Sequence, residues 1–219
     1  MKIDLIIFDC DGVLVDSEPV SNKILAEELT KIGLPTTSKE SIRNYMGKSE
    51  HDNLEEIKKK LGHLPPEAFF ESCHKRTFES FKRDLKPVFG ITEALRRLPQ
   101  KKCVASSGSH DKIRYTLGLT NLLPFFIGSI FSAMDVNRGK PHPDLFLHAA
   151  EMMGSSPESC VVIEDSLPGV QAGIAAGMKV FGYAAMSAAE DLIKAGATAF
   201  TEMKQLPELL QLDSADRQD

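Results

Sequence analysis

A chain of 219 residues is long enough for one sizeable core, or for a core domain carrying a smaller second one. Its formal charge of -5 supplies none of the global basic field that nonspecific nucleic-acid binding needs, so nucleic acid is not expected as a partner. The four cysteines are widely spaced without a CxxC pair, and no apolar stretch approaches the ~20 residues that cross a bilayer, which excludes a disulfide scaffold and a membrane span and points to a soluble, cytoplasmic protein.

The first element is the apolar run Leu5 to Phe8, flanked by Lys2 and Asp4 and stopped by Asp9. It lacks the features of a signal peptide and reads as a strand. Residues from Ser17 to Lys86 have a different texture. Ile24, Leu25, Leu29 and Ile32 recur at helical spacing, as do Leu54, Ile57 and Leu61, and Phe69, Cys73 and Phe78 mark a third helix. Pro19 and Pro87 flank this segment, so it reads as a helical lobe inserted through two crossings. Beyond it, Cys103 to Ala105, Val161 to Ile163 and Val180 to Tyr183 are short β-rich runs, each beside an amphipathic stretch. Such alternation predicts an α/β fold with a parallel sheet and helices on both faces. Asn137 to Pro143 is the clearest loop, with a helix starting at Asp144; a second loop runs from Asp165 to Gly169, and Asp213 to Asp219 reads as a frayed tail.

In an open parallel sheet, ligands bind at the carboxyl ends of strands, and the residues able to carry chemistry fall there. Asp9 and Asp11 follow the first strand, and positions i and i+2 of an extended chain point the same way. Gly12 lets the chain turn beneath a bound group. Taken alone, the two acids serve equally well as caps of a turn. Glu164 and Asp165 repeat the device after Val161-Val162-Ile163, and the two strand ends together offer oxygen donors suited to a hard cation such as magnesium. Lys140 brings a positive charge from the proline-restrained loop. Ser106 ends a further strand, and Ser107-Gly108-Ser109 offers backbone N–H groups at a helix start, an anion site or an ordinary strand-to-helix turn. Four carboxylates set against one divalent cation and one lysine leave a net negative charge, so either Asp11 is protonated when an anionic substrate arrives or other donors help.

These pieces, in this order, resemble the haloacid dehalogenase superfamily, whose site is built from hhhDxDG, hhhS, a lysine loop and hhhEDS. Glu164-Asp165-Ser166-Leu167-Pro168-Gly169-Val170, preceded by Gly139-Lys140-Pro141-His142-Pro143-Asp144, is similar to the branch holding phosphoglycolate phosphatases, sugar-phosphate phosphatases and β-phosphoglucomutases. The resemblance implies a Rossmann-like catalytic core from residues 1–16 and 87–219 with an inserted helical cap domain over 17–86. It makes Asp9 the nucleophile and Asp11 the general acid, then base. Magnesium would be held by Asp9, the Asp11 carbonyl and Asp165, with Glu164 in contact with the ion or one layer behind. Ser106, the Ser107 amide, Gly108 and Lys140 would bind the phosphoryl oxygens.

The implied partner is a small phosphorylated metabolite, with the protein a monomer or weak homodimer that engages neither nucleic acid nor membrane. Lys48, in Gly47-Lys48-Ser49, stands where the family's substrate loop lies, and His110 heads a helix toward the same cleft, though both serve equally as surface side chains; Lys75 and Arg76 are weaker candidates, read more readily as solvated cations. β-Phosphoglucomutases carry a histidine in the cap hinge where this chain has Ser21, which favours phosphatase over phosphomutase. A noncatalytic phosphometabolite-binding regulator would lack an acid or the lysine, and none is missing. The stretches around Asp9 and Ser17 are most similar to bacterial phosphatases of small sugar and sugar-acid phosphates of the 6-phosphogluconate type.

Overall fold

The structure is a computed structural model describing residues 3–46 and 50–215. The chain divides into two compact units, Met1–Val15 with Pro87–Asp219, and Asp16–Lys86.

The first unit is built on six parallel strands among the described residues. They are β1 (Leu5–Phe8), β2 (Lys101–Ser106), β3 (Ile130–Ser132), β4 (Cys160–Glu164), β5 (Lys179–Tyr183) and β6 (Thr198–Phe200), in the spatial order β3-β2-β1-β4-β5-β6. Helices covering both faces make a central parallel strand apolar throughout rather than alternating, and every residue of β1 is buried. The chain leaves β1 toward β2 and β3, then crosses to β4 on the other flank, so the strand order reverses beside β1. That reversal opens a crevice at the carboxyl edge. Register aligns it: Phe8 pairs with Val104 on one side and Ile163 on the other, so Asp9, Ala105 and Glu164 emerge at one level.

The helices of this unit are α5 (Ile91–Arg97), α6 (His110–Leu119), α7 (Asp144–Met152), α8 (Leu167–Ala175), α9 (Ala189–Lys194) and α10 (Leu206–Ala215). One buried cluster joins sheet and helices through Leu5, Ile7, Cys103 and Val162 with Leu145, Phe146 and Val170. β3 and β6 lie outside the expected strands; each has three residues, too few to display a period. α10 extends three residues into the segment read as a tail. No described helix is long and apolar enough to cross a membrane, and all four cysteines are buried thiols.

The second unit contains α1 (Glu18–Lys31), α2 (Ser38–Tyr45), α3 (Glu50–Leu61) and α4 (Phe69–Asp84) around its own core of Leu29, Tyr45, Ile57, Phe69 and Cys73. Four helices stand where hydrophobic spacing indicated three. α2 is largely polar and announces itself instead by a capping box, Thr37 with Glu40. Phe78 is half-exposed; five residues beyond Cys73 it falls off the buried stripe, which continues through Ser80 and Phe81. Arg76 is held within this unit by Glu27, at 2.6 Å, and by Glu28, while Lys75 is exposed. The unit's two ends are tied together, since the Asp16 amide donates to the Lys86 carbonyl at 2.9 Å, and Val15 bridges to Pro87 in the core unit.

Candidate active site

Asp9 prolongs β1 by one residue, its amide donating to the Ile163 carbonyl at 3.0 Å. Gly12 then turns the chain at φ +78°, and a Cβ there would lie 2.0 Å from Asp165 Oδ2, so only glycine admits the Asp165 carboxylate beside the turn.

The centre of the site is Lys140. Its Nζ donates to Asp9 Oδ1 at 2.5 Å, Glu164 Oε1 at 2.6 Å and the Ala105 carbonyl at 3.1 Å, and lies over the Phe146 ring. The Lys140–Pro141 peptide is cis. With side-chain exposures of 5, 10 and 1 % for Lys140, Asp9 and Glu164, this is a buried charge cluster. Its members must pair with one another, because a lone buried charge is costly. Burial opposes the Lys140 charge, but Asp9 and Glu164 outweigh it and hold the ammonium above the usual lysine range. Burial pushes the Asp9 carboxyl up to about 7; Lys140 pulls it down, and Glu164 and Asp11 add to the rise. Lysine stays charged, and Asp9 holds its proton to higher pH than an ordinary aspartate.

Glu164 is fixed on all sides. Besides Lys140 on Oε1, its Oε2 accepts from the Asp165 amide at 2.9 Å, the Ser166 amide at 3.0 Å and the Ser166 hydroxyl at 2.9 Å. Ser166 also caps α8, taking the Gly169 amide at 3.2 Å. A Cβ on Gly169 would lie 1.8 Å from Glu164 Oε1. Gly169→Ala is therefore expected to lower stability by about 2–4 kcal/mol, since the displaced carboxylate loses buried partners; a melting temperature within 2 °C of wild type, roughly 0.5–1 kcal/mol for this size, would contradict this packing.

Asp9, Glu164 and Asp165 each offer an oxygen, all within 4.8 Å of one another. Oxygens around a six-coordinate magnesium at ~2.1 Å lie up to ~4.2 Å apart, so small side-chain shifts close the set. Because both oxygens of Glu164 are already engaged, Asp9 and Asp165 are the side chains suited to direct ligation, and Glu164 orients them from behind.

On the neighbouring strand, Ser106 is buried and its hydroxyl accepts from the Gly108 amide at 3.1 Å. Ser107 is exposed, and Ser109 caps α6. The Gly108 carbonyl accepts from Ser132 Oγ at 2.6 Å, which anchors this turn to β3. His110 faces Asp135, Nε2 to Oδ1 at 2.8 Å, and Asp135 also receives the Ser132 amide. Through Nε2, His110 links α6 to the end of β3. Lys48 lies outside the described residues.

The structure adds a residue absent from the expected set. Lys112, in the first turn of α6, places Nζ 2.7 Å from Asp11 Oδ2. The charge count across the four carboxylates, one divalent cation and two lysines then closes at neutrality. The only sequence signal for it is a lysine three residues after the N-cap serine, where a cation opposes the helix dipole.

Comparison with known proteins agrees with this arrangement. Residues 3–177 match the family of haloacid dehalogenase-like hydrolases. The chain is 30% identical over 209 residues to 6-phosphogluconate phosphatase of Escherichia coli K12, covering 95% of each protein. A crystal structure of a haloacid dehalogenase-like protein of unknown function from Agrobacterium tumefaciens superposes with a TM-score of 0.90 at 34% identity, over 97% of this chain and 99% of that one. A HAD family hydrolase from Deinococcus radiodurans, solved with bound phosphate and sodium, gives 0.82 at 29% identity over 93% of both chains. The parallel sheet, the paired acids at its edge and a family match across most of the chain make this protein an enzyme of the haloacid dehalogenase-like hydrolase family.

Proposed function

We propose that the chain is a magnesium-dependent phosphomonoester hydrolase that forms an aspartyl-phosphate on Asp9 and acts on a small sugar phosphate or sugar-acid phosphate. The observation that carries this reading is the double engagement of Asp9, paired with buried Lys140 through Oδ1 and grouped with Asp165 in an oxygen cluster of cation-binding size. Asp9 and Asp165, with the Asp11 carbonyl, would hold magnesium, which when bound offsets the charge of the phosphoryl oxygens.

The remaining steps belong to the protein. An Asp9 oxygen attacks phosphorus as the bond to the leaving oxygen breaks, and Asp11 supplies the proton that oxygen needs. Asp11 then takes a proton from water as the water oxygen bonds phosphorus and the bond between phosphorus and the Asp9 oxygen breaks. Lys140, the Ser106 hydroxyl and the Ser107 and Gly108 amides bind the phosphoryl oxygens as charge spreads over them. This machinery suits any monoester, so selectivity falls to residues outside it. The similarity to a 6-phosphogluconate phosphatase supports sugar acids as the first class to test.

The test is a panel of sugar phosphates, phospho-acids and nucleotides assayed for phosphate release with magnesium and with EDTA. Release confined to magnesium and strongest among sugar or sugar-acid phosphates is expected. Full release in EDTA would remove the metal from the mechanism, and bisphosphate-primed isomerisation faster than phosphate release would make the enzyme a mutase. Without substrate, magnesium at about 100 times its Kd should stabilise the wild type by ~2.7 kcal/mol, and Asp165→Asn should lose most of that gain.

A further inference from the structure

Asp11 leaves β1 on the Gly12 turn, and Lys112 approaches it from α6, Nζ to Oδ2 at 2.7 Å. A cation in the first turn of a helix opposes the positive end of the helix dipole, so α6 gains nothing from a lysine at this position. The pair is 37 % and 26 % exposed, and ion pairs so open to water contribute little to stability.

The surroundings nonetheless steer this side chain. A Cβ on Gly108 would meet Lys112 Cδ at 3.3 Å, tighter than ordinary contact, so glycine leaves room for the lysine stem. One turn further along α6, Thr116 Oγ1 lies 3.8 Å from Cys10 Sγ, while accepting no freedom of its own because it donates to the Lys112 carbonyl at 3.0 Å. The same helix thus touches the Asp9–Gly12 turn at two successive residues, Cys10 and Asp11. Burial opposes the Lys112 charge, but Asp11 more than offsets this and holds the ammonium above the usual range.

Resting on the phosphatase reading, we propose that Lys112 is a positioning residue that fixes the Asp11 carboxyl for proton delivery to the leaving oxygen. In that step the Asp9–phosphorus bond forms, the phosphorus–leaving-oxygen bond breaks, and the proton moves from Asp11 to the departing oxygen. Lys112 holds Asp11 through Oδ2 and itself gives up no proton.

The test exploits leaving-group basicity. p-Nitrophenolate departs with little need of a proton, whereas a simple alkoxide departs only with one. kcat/KM is measured for p-nitrophenyl phosphate and propyl phosphate, neither of which carries sugar hydroxyls, in wild type, Lys112→Met and Lys112→Arg. Lys112→Met is expected to lose about 30- to 100-fold on propyl phosphate, the scale of a misplaced catalytic group, and several times less on p-nitrophenyl phosphate. Lys112→Arg, which keeps a donor for Oδ2, is expected to recover most of the lost contrast. Equal losses on the two esters in Lys112→Met, or a wild-type ratio between them, would overturn the assignment. Wild-type protein that releases phosphate from neither ester nor any member of the sugar-phosphate panel would instead overturn the phosphatase reading, a result visible before any variant is compared.

Discussion

Asp9→Asn is expected to abolish phosphate release, by more than about 10,000-fold, while raising the stability of the metal-free protein at pH 8 by about 1 kcal/mol. The activity loss follows from removing the nucleophile. The stability gain follows from linkage. Burial raises the folded-state pKa of Asp9 from 3.8 to about 7, so folding is favoured while Asp9 is protonated, and that contribution fades as pH rises through about 7. At pH 8 ionised Asp9 costs stability that neutral asparagine does not, and the amide oxygen still accepts from Lys140. Thermal melts in EDTA at pH 8 and pH 5 check this. The gain should be largest at pH 8 and smaller at pH 5, because the cost of burying Asp9 builds between about 3.8, where the unfolded chain ionises, and about 7, where folded Asp9 does. A variant less stable than wild type at pH 8 would mean that Asp9 contributes net attraction to the cluster.

Lys140→Met should have the opposite effect on stability and a comparable one on turnover. It leaves Asp9 and Glu164 buried without their shared cation, and breaking such a cluster costs about 3–5 kcal/mol. For a protein of this length that corresponds to a fall in melting temperature of roughly 10 °C. The loss should be largest at high pH and shrink in acid, because protonating the stranded Asp9 carboxyl, whose pKa burial pushes up, removes its unpaired charge. Adding Glu164→Gln should recover part of the stability without restoring turnover. Melting curves of the single and double variants between pH 5 and pH 8 measure both effects, and additive losses in the double variant would show that the two side chains do not interact.

The contrasting legibility of these residues in the sequence has a physical basis. β1, β2, β4 and β5 are readable because a strand buried on both faces must be apolar at every position, and acids at the ends of such runs stand out. Lys140 is readable because prolines on its C-terminal side and a glycine before it mark a restrained loop. β3 and β6 are edge strands of three residues whose identity is set by the neighbour they pair with, and α2 replaces an apolar stripe with polar contacts such as Ser41 to Asn22. Lys112 was invisible for a different reason. Its importance arises from a partner 101 residues away in sequence, and locally only its unfavourable place in the first turn of α6 sets it apart from a solvated lysine. The same holds for the partner of His110: the histidine Nε2 faces Asp135, a residue no local pattern connects to it.

The point where the helical unit departs and returns has a consequence for how such proteins change over time. Val15 and Pro87 are bridge partners, and Asp16 and Lys86 are hydrogen-bonded, so the segment between them begins and ends at one place. Lengthening, shortening or exchanging that segment need not stretch the sheet or shift the register that sets Asp9 beside Lys140 and Glu164. Recombination at this seam can therefore exchange the whole helical unit in one event, while the register at Asp9, Lys140 and Glu164 is inherited intact.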